Sequence, residues 1–325
     1  MHYAPVIIPT LNRKKHLERA IDSLLGNIEV EKTALYISVD YPPSSKYMIG
    51  YEQVKDYLAT EDLSKFKEVH IYYQQKNLGP SENIRFLKQQ IRNDGYNAYI
   101  LSEDDNEFSP IFIKYINTLL FQYEDDERVL RICGAKDTDF FGCGEYIFFK
   151  VSPAYGYGAW LKKDEINKEY GNKLLLNPAL IDKRKLIEFS FKCTLLFKYF
   201  AKDCLLKDNS KIKKNSNELI WTDNVWGIYM LLTDKVCIIP QVAKARTWGN
   251  DGSGVTMPKL VNQEAYMMPL DQRTKIELGE KRNIVIDERN YEKEANYLKR
   301  VSKRGDFAKG WLYYLLYLIK NIVRS

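Results

Sequence analysis

The chain has 325 residues, 45% of them hydrophobic, and a net charge of +6. That suits one large α/β domain with an appendage, or two small domains, each around an ordinary apolar core. The five cysteines are an odd set with no Cys-x-x-Cys pair, which argues for reduced thiols over a disulfide framework, and the three histidines are too scattered for a zinc site or a His-based triad. The N-terminus enters an apolar strand without a basic or hydrophobic leader, and no apolar run is long enough to span a bilayer, so the expected location is cytoplasmic.

In chain order, residues 6–8 read as a buried strand and Pro9-Thr10-Leu11-Asn12-Arg13 as the loop at its end. Residues 14–25 follow as a helix with Leu17, Ala20, Ile21, Leu24 and Leu25 on one face. The pattern repeats with a strand over 34–39 ending at Asp40, a Pro-Pro-Ser-Ser turn and a helix over 46–58. A third strand over 69–73 leads to Asn77-Leu78-Gly79-Pro80-Ser81, where Ser81 can cap a helix running to about Asn93. A short strand over 99–101 comes next. Strands alternating with helices predict a doubly wound, mostly parallel sheet with helices on both faces. Its strand ends bring Thr10, Arg13, Asp40 and the segment after Leu101 to one edge.

That segment carries the chemistry. The apolar run ending at Leu101 and Ser102 passes directly into Glu103, Asp104 and Asp105, at the kind of strand end where open α/β sheets bind ligands. Three adjacent carboxylates repel one another and lose hydration unless a cation joins them, and all-oxygen ligands suit Mg2+ or Mn2+. A metal–diphosphate site is the reading. The same tripeptide recurs as Glu124-Asp125-Asp126, but there it follows the amphipathic run 112–123 and reads as a solvated helix end.

The second half is less regular. Residues 146–152 read as a strand, and the Gly/aromatic segment 153–160 as a loop whose backbone approaches a ligand, or as a packed aromatic turn. Residues 186–206 are apolar on much of their circumference and lead into a polar loop over 207–217. Residues 221–232 look helical, 236–239 form a last strand, and 246–256 a glycine-rich, mobile loop.

The order of these motifs resembles a nucleotide-sugar glycosyltransferase of the GT-A type, similar to the N-acetylglucosaminyltransferase I family in a bacterial version. The resemblance covers roughly residues 4–260. It rests on Val6-Ile7-Ile8-Pro9-Thr10-Leu11-Asn12-Arg13, Ser38-Val39-Asp40, the segment Ser102–Pro110 in place of Asp-x-Asp, Gly156-Tyr157-Gly158-Ala159-Trp160, Trp221-Thr222-Asp223 and the loop 246–256. It implies a GT-A catalytic domain over 1–262, a Rossmann-like sheet, and inverting, metal-dependent transfer from a nucleoside-diphosphate sugar, with UDP as the expected nucleotide. Asp105 would then ligate Mn2+ (or Mg2+), and Asp40 would accept from the base. Pro9, Thr10, Arg13 and Asn77 would hold the nucleotide, Glu103 and Asp104 the ribose and sugar, and Gly158, Trp160, Gly252 and Ser253 the rest of the donor. Asp223 would be the general base toward an acceptor hydroxyl, or else a helix cap beside Thr222. The loop around Gly249–Gly254 would close over the donor and exclude water.

Residues 263–325 read as an extension ending in a basic amphipathic helix. From Lys299 onward seven basic residues face Asp306 alone, which matches the whole net excess of the chain. The stretch from Trp311 to Ile319 is too short to span a bilayer but suits an anionic interface; the alternative is a helix docked on the body. A lipid-linked or glycan acceptor, a role in capsule or lipopolysaccharide synthesis and a peripheral position on the inner face of the plasma membrane follow as expectations. Nucleic acid is not an expected partner, since no recognition motif accompanies the charge. Two rivals are a non-catalytic sugar-binding or scaffold protein that keeps the fold, and a sugar-nucleotide pyrophosphorylase, although Pro9–Arg13 lacks the glycines that a phosphate loop needs.

Overall fold

A computed structural model describes residues 3–150, 155–176, 182–192, 197–198, 200–202, 223–254, 267–291, 293 and 305–322. The first four strands, β1 (Val6–Thr10), β2 (Ala34–Val39), β3 (Glu68–Tyr73) and β4 (Ala98–Leu101), are parallel in the order β3-β2-β1-β4. Helices α1 (Lys14–Leu25), α2 (Met48–Thr60) and α3 (Pro80–Asn93) connect them. The period of two in each strand sets which helix it meets. Val6, Ile8, Leu35 and Ile37 join α1 and α2 in one core, while Ile7, Ala34 and Tyr36 turn to Leu87 and Ile91 of α3 on the other face.

Past β4 the chain adds the short strand β5 (Asn106–Phe108), helix α4 (Phe112–Gln122), β6 (Val129–Cys133), β7 (Tyr146–Phe149), β8 (Tyr157–Trp160) and helix α5 (Leu161–Leu176). The remaining elements are α6 (Lys183–Lys192), α7 (Asp223–Leu232), β9 (Val236–Pro240), β10 (Ala245–Thr247) and the C-terminal helix α8 (Asp306–Ile322). The main sheet has eight strands in the order β3-β2-β1-β4-β8-β6-β9-β7. Strands β1–β4, β6 and β9 run one way, and β7 and β8 against them. The fold is thus mixed α/β, with a mostly parallel sheet and helices on both faces.

The segment read as a ligand loop is strand β8, paired with β4 on one side and β6 on the other. Gly158 lies where α4 crosses it: a Cβ there would stand 2.4 Å from Ile116 Cγ2 and 3.1 Å from Leu120 Cδ1. The glycine serves helix–sheet contact. In α3, Pro80 takes the first helical turn after Gly79 in a left-handed conformation (φ 75°), so Ser81 lies inside the helix instead of capping it.

Strands β7 and β9 and helices α6–α8 surround a further core containing Ile147, Phe149, Leu186, Trp226, Tyr229, Ile239 and Tyr314. Helix α8 therefore docks on the body, and a 2.9 Å ion pair between Lys198 and Asp306 holds its start. Its far side carries Leu312, Leu315, Leu316 and Ile319 exposed to solvent. Residues 267–291, expected in the extension, run along the body. Leu270 bridges to Ala243, Arg282 donates to the carbonyl of Tyr146, and the fully buried Lys244 meets Asp271 at 2.6 Å. Among the described residues no helix is long and apolar enough to cross a membrane.

Candidate functional site at the carboxyl edge of the sheet

Strand β1 ends in Thr10, and the turn into α1 carries Arg13. One strand over, the turn after β4 carries Asp104 and Asp105, each only 5% exposed. Thr10 Oγ1 donates to Asp104 Oδ2 at 3.0 Å. Arg13 grips both oxygens of Asp104, through Nε at 3.3 Å and through a short contact from Nη2, while its Nη1 lies 2.8 Å from Asp105 Oδ2. A planar guanidinium has the donor geometry for such bridging. Burial opposes the charge on Arg13, yet the two carboxylates hold it above the ordinary arginine range. Burial pushes the Asp104 carboxyl upward against the pull of Arg13.

A small antiparallel ribbon closes this pair from the other side. Strand β10 pairs with β5 in the register Ala245↔Phe108 to Thr247↔Asn106, which brings Thr247 over the acidic turn. Thr247 Oγ1 and Asn106 Nδ2 donate to Asp105 Oδ1 at 2.9 and 3.3 Å, and Trp248 N donates to the Asp105 carbonyl at 2.8 Å. Gly249 comes so close that a Cβ would lie 2.5 Å from Asp105 Oδ2. The ribbon is braced by Glu107, which accepts from Arg246 Nε at 2.8 Å and Trp248 Nε1 at 2.5 Å, while the Arg19 guanidinium lies over the Trp248 ring at 4.0 Å. Further along, His16 Nε2 stands 3.2 Å from Asp251 Oδ2.

Other expected residues fall in three groups. Asp40 and Asn77 are at the same edge. The Asp40 amide donates to the Thr10 carbonyl, and its carboxylate accepts from the amides of Tyr41, Leu78 and Gly79 and from Asn77 Nδ2, so its present work is to tie the β2 and β3 ends together. Pro9 lies within β1 opposite Ser38. Glu103 is exposed at the rim, while Gly252, with φ 82°, and Ser253 are exposed in the loop after β10, where Ser253 donates to Asp251. Gly158 and Trp160 are in the sheet interior, away from any open surface: the first packs under α4 and the second is 4% exposed with Lys163 Nζ over its ring. Asp223 opens α7; its side chain, together with Trp221, Thr222, Val255 and Thr256, lies outside the described residues.

The donor set does not fit a standing divalent ion. All four carboxylate oxygens of Asp104 and Asp105 already accept from protein groups. Such ions take about six oxygen ligands, whereas among the described residues no three His, Cys, Asp or Glu side chains gather as a metal-holding group.

One acidic residue escaped the sequence reading. Asp137 leaves β6, whose carboxyl end points to the same edge as β1 and β4, and its loop lies beside β10 through Lys244 N and Ala245 N donating to the Gly134 carbonyl. Burial pushes its carboxyl up to about 6, the range in which a carboxylate can act as a base at neutral pH. Only its place after a strand end could have flagged it, and the strand itself was not read.

The main sheet and its carboxyl edge define a doubly wound α/β protein with buried charge at that edge. No protein-family model matches the chain, and no curated protein matches it in sequence. Among solved structures it is similar to Staphylococcus aureus TarS, at 13% identity and a TM-score of 0.35 over 51% of this chain and 29% of that one. A shorter TarS structure, residues 1–349, gives 11% and 0.38 over 76% and 61%. A mannosyltransferase from Pyrobaculum calidifontis, solved with GDP-Man and Mn2+, gives 11% and 0.40 over 71% and 70%. The chain spans under a third of the full TarS chain and about three fifths of the shorter one.

Proposed function

We propose that this protein transfers a sugar from a nucleoside-diphosphate donor to an acceptor hydroxyl. The observation that carries the reading is the convergence at one edge of three parallel strand ends, bearing Thr10 and Arg13, Asp40, and Asp104 with Asp105, with the Thr247–Gly254 segment against Arg13 and Asp105. Open α/β sheets bind nucleotides at such an edge. The order of motifs supports a GT-A enzyme with a UDP-linked hexose or N-acetylhexosamine, an inverting course, and a glycan or lipid-linked acceptor in bacterial surface-polysaccharide synthesis.

In this reading the acceptor oxygen attacks the anomeric carbon as the bond from that carbon to the diphosphate breaks, and a carboxylate takes the hydroxyl proton. Asp223 has that role by resemblance; Asp137 is a second candidate by its place and its raised pKa. Thr10, Asp40 and the β10 ribbon position the donor, and the segment from Gly249 to Gly254 keeps water from it. No step is routed through a metal.

Calorimetric titration with a panel of UDP- and GDP-sugars tests the first half: one should bind, and a slow donor hydrolysis should accompany binding. A donor that binds without hydrolysis or transfer to any acceptor would favour the sugar-binding or scaffold role. For the base, Asp223→Asn keeps size and capping ability but loses basicity, so turnover should fall about 10²-fold with donor affinity nearly kept. Transfer at the wild-type rate would exclude Asp223.

A further inference from the structure

We infer that Arg13 is the resident cation of the Asp104–Asp105 pair, and that a divalent ion can enter this site only by displacing it. Two neighbouring carboxylates, each 5% exposed, need a positive charge between them, and the chain supplies it from the turn that opens α1. Arg13 claims both oxygens of Asp104 and one of Asp105; Thr10, Thr247 and Asn106 supply the remaining donors. The approach from the β10 side is closed by Gly249, whose backbone leaves no room for even a methyl group beside Asp105 Oδ2. Thr247 fixes that approach, because its hydroxyl accepts from Gly249 N at 3.1 Å while donating to Asp105.

The consequence is an exchange of cations in place of a simple vacancy. A small divalent ion would have to separate Arg13 from both carboxylates before it found ligands, so the native chain should bind such an ion poorly. Without Arg13, the same two carboxylates become an uncompensated buried pair, which recovers its balance only by taking up a proton or a cation. The Arg13→Gln variant should therefore acquire a demand for divalent cations that the native protein lacks. This is independent of which sugar or nucleotide the site handles, because the test uses the metal alone.

The experiment is thermal melting and Mn2+ binding by electron paramagnetic resonance on the full chain, chelator-treated and free of nucleotide. The native melting temperature should not move with Mn2+. Arg13→Gln should melt lower, recover most of the loss on adding Mn2+, and bind the ion at least about tenfold more tightly, as removal of a like charge at contact distance implies. Adding Asp105→Asn to that variant should abolish the gain. Should Arg13→Gln fail to fold, Arg13→Lys keeps the charge but not the fork, and its Mn2+ affinity should exceed that of the native chain. Native protein that binds Mn2+ as tightly as the Arg13 variants, or variants that gain no affinity, would overturn the inference.

Discussion

At the scale of single residues, the charges at the carboxyl edge separate into groups that are committed and one that is poised. Asp105 is surrounded by donors and Asp40 by backbone amides, so both are fixed acceptors. Asp137 instead has burial as the sole cause of its shift to about 6. If it serves as the base, the rate should rise as pH passes upward through about 6, and Asp137→Asn should remove that limb without changing donor affinity. A linked effect on stability has a definite sign. The folded carboxyl holds its proton to higher pH than the unfolded one, so this stability is full below the ordinary carboxyl range and is lost as pH rises through about 6. Denaturant titrations from pH 4 to 7 should show that decline in the native chain and a flatter profile in Asp137→Asn. A variant with an unchanged slope would place the decline elsewhere.

At the scale of elements, the most informative is β8. A Gly-Tyr-Gly-Ala-Trp run reads as a loop because glycine and aromatic residues favour turns and close approaches, and nothing local says that α4 needs the space above Gly158. The three-residue strands β5 and β10 were equally hidden, since a period of two cannot be recognised over so short a run. Helix α5 lacks a continuous apolar stripe. By contrast α1, whose apolar positions recur at helical spacing, and β2, a continuous buried run, were legible to the residue. The same division runs through the site. Arg13, Asp104 and Asp105 could be found because a strand feeds directly into charge, whereas Thr247 reaches Asp105 only through the β5–β10 pairing. Replacing Gly158 by Ala should overpack the α4 contact and cost about 1–3 kcal/mol in denaturant unfolding, leaving the donor affinity of the folded protein intact. Loss of donor affinity without loss of stability would restore the ligand-loop reading.

Considered as a whole, the chain carries its basic excess, by sequence, in the segment that contains helix α8. Helix α8 uses Tyr314 to join the core and leaves Leu312, Leu315, Leu316 and Ile319, at i, i+3, i+4 and i+7 spacing, exposed. The helix thus docks on one face and leaves an open apolar stripe on the other. We propose that the open stripe meets an anionic leaflet, where each basic residue contributes about 1 kcal/mol. The full chain should then sediment with anionic liposomes, less so as salt rises. Replacing Leu312, Leu315, Leu316 and Ile319 together by Ser should release it without lowering the melting temperature, whereas removal of residues 306–325 should lower it by uncovering the core. Indifference of the full chain to anionic liposomes would reject the membrane role.

The place of β8 in the sheet also bears on how the protein is made. Its neighbours β4 and β6 both precede it in the chain, and it is the strand that joins the β3-β2-β1-β4 group to β6. As the polypeptide leaves the ribosome, the first four strands can pair by themselves, but β4 keeps a bare edge until Tyr157–Trp160 emerges. At synthesis rates of about 5–20 residues per second, that edge waits roughly 3–11 s, open to pairing with another nascent chain. Strand β8 therefore acts as a late seal, and a pause in translation before it would lengthen the interval in which growing chains can aggregate.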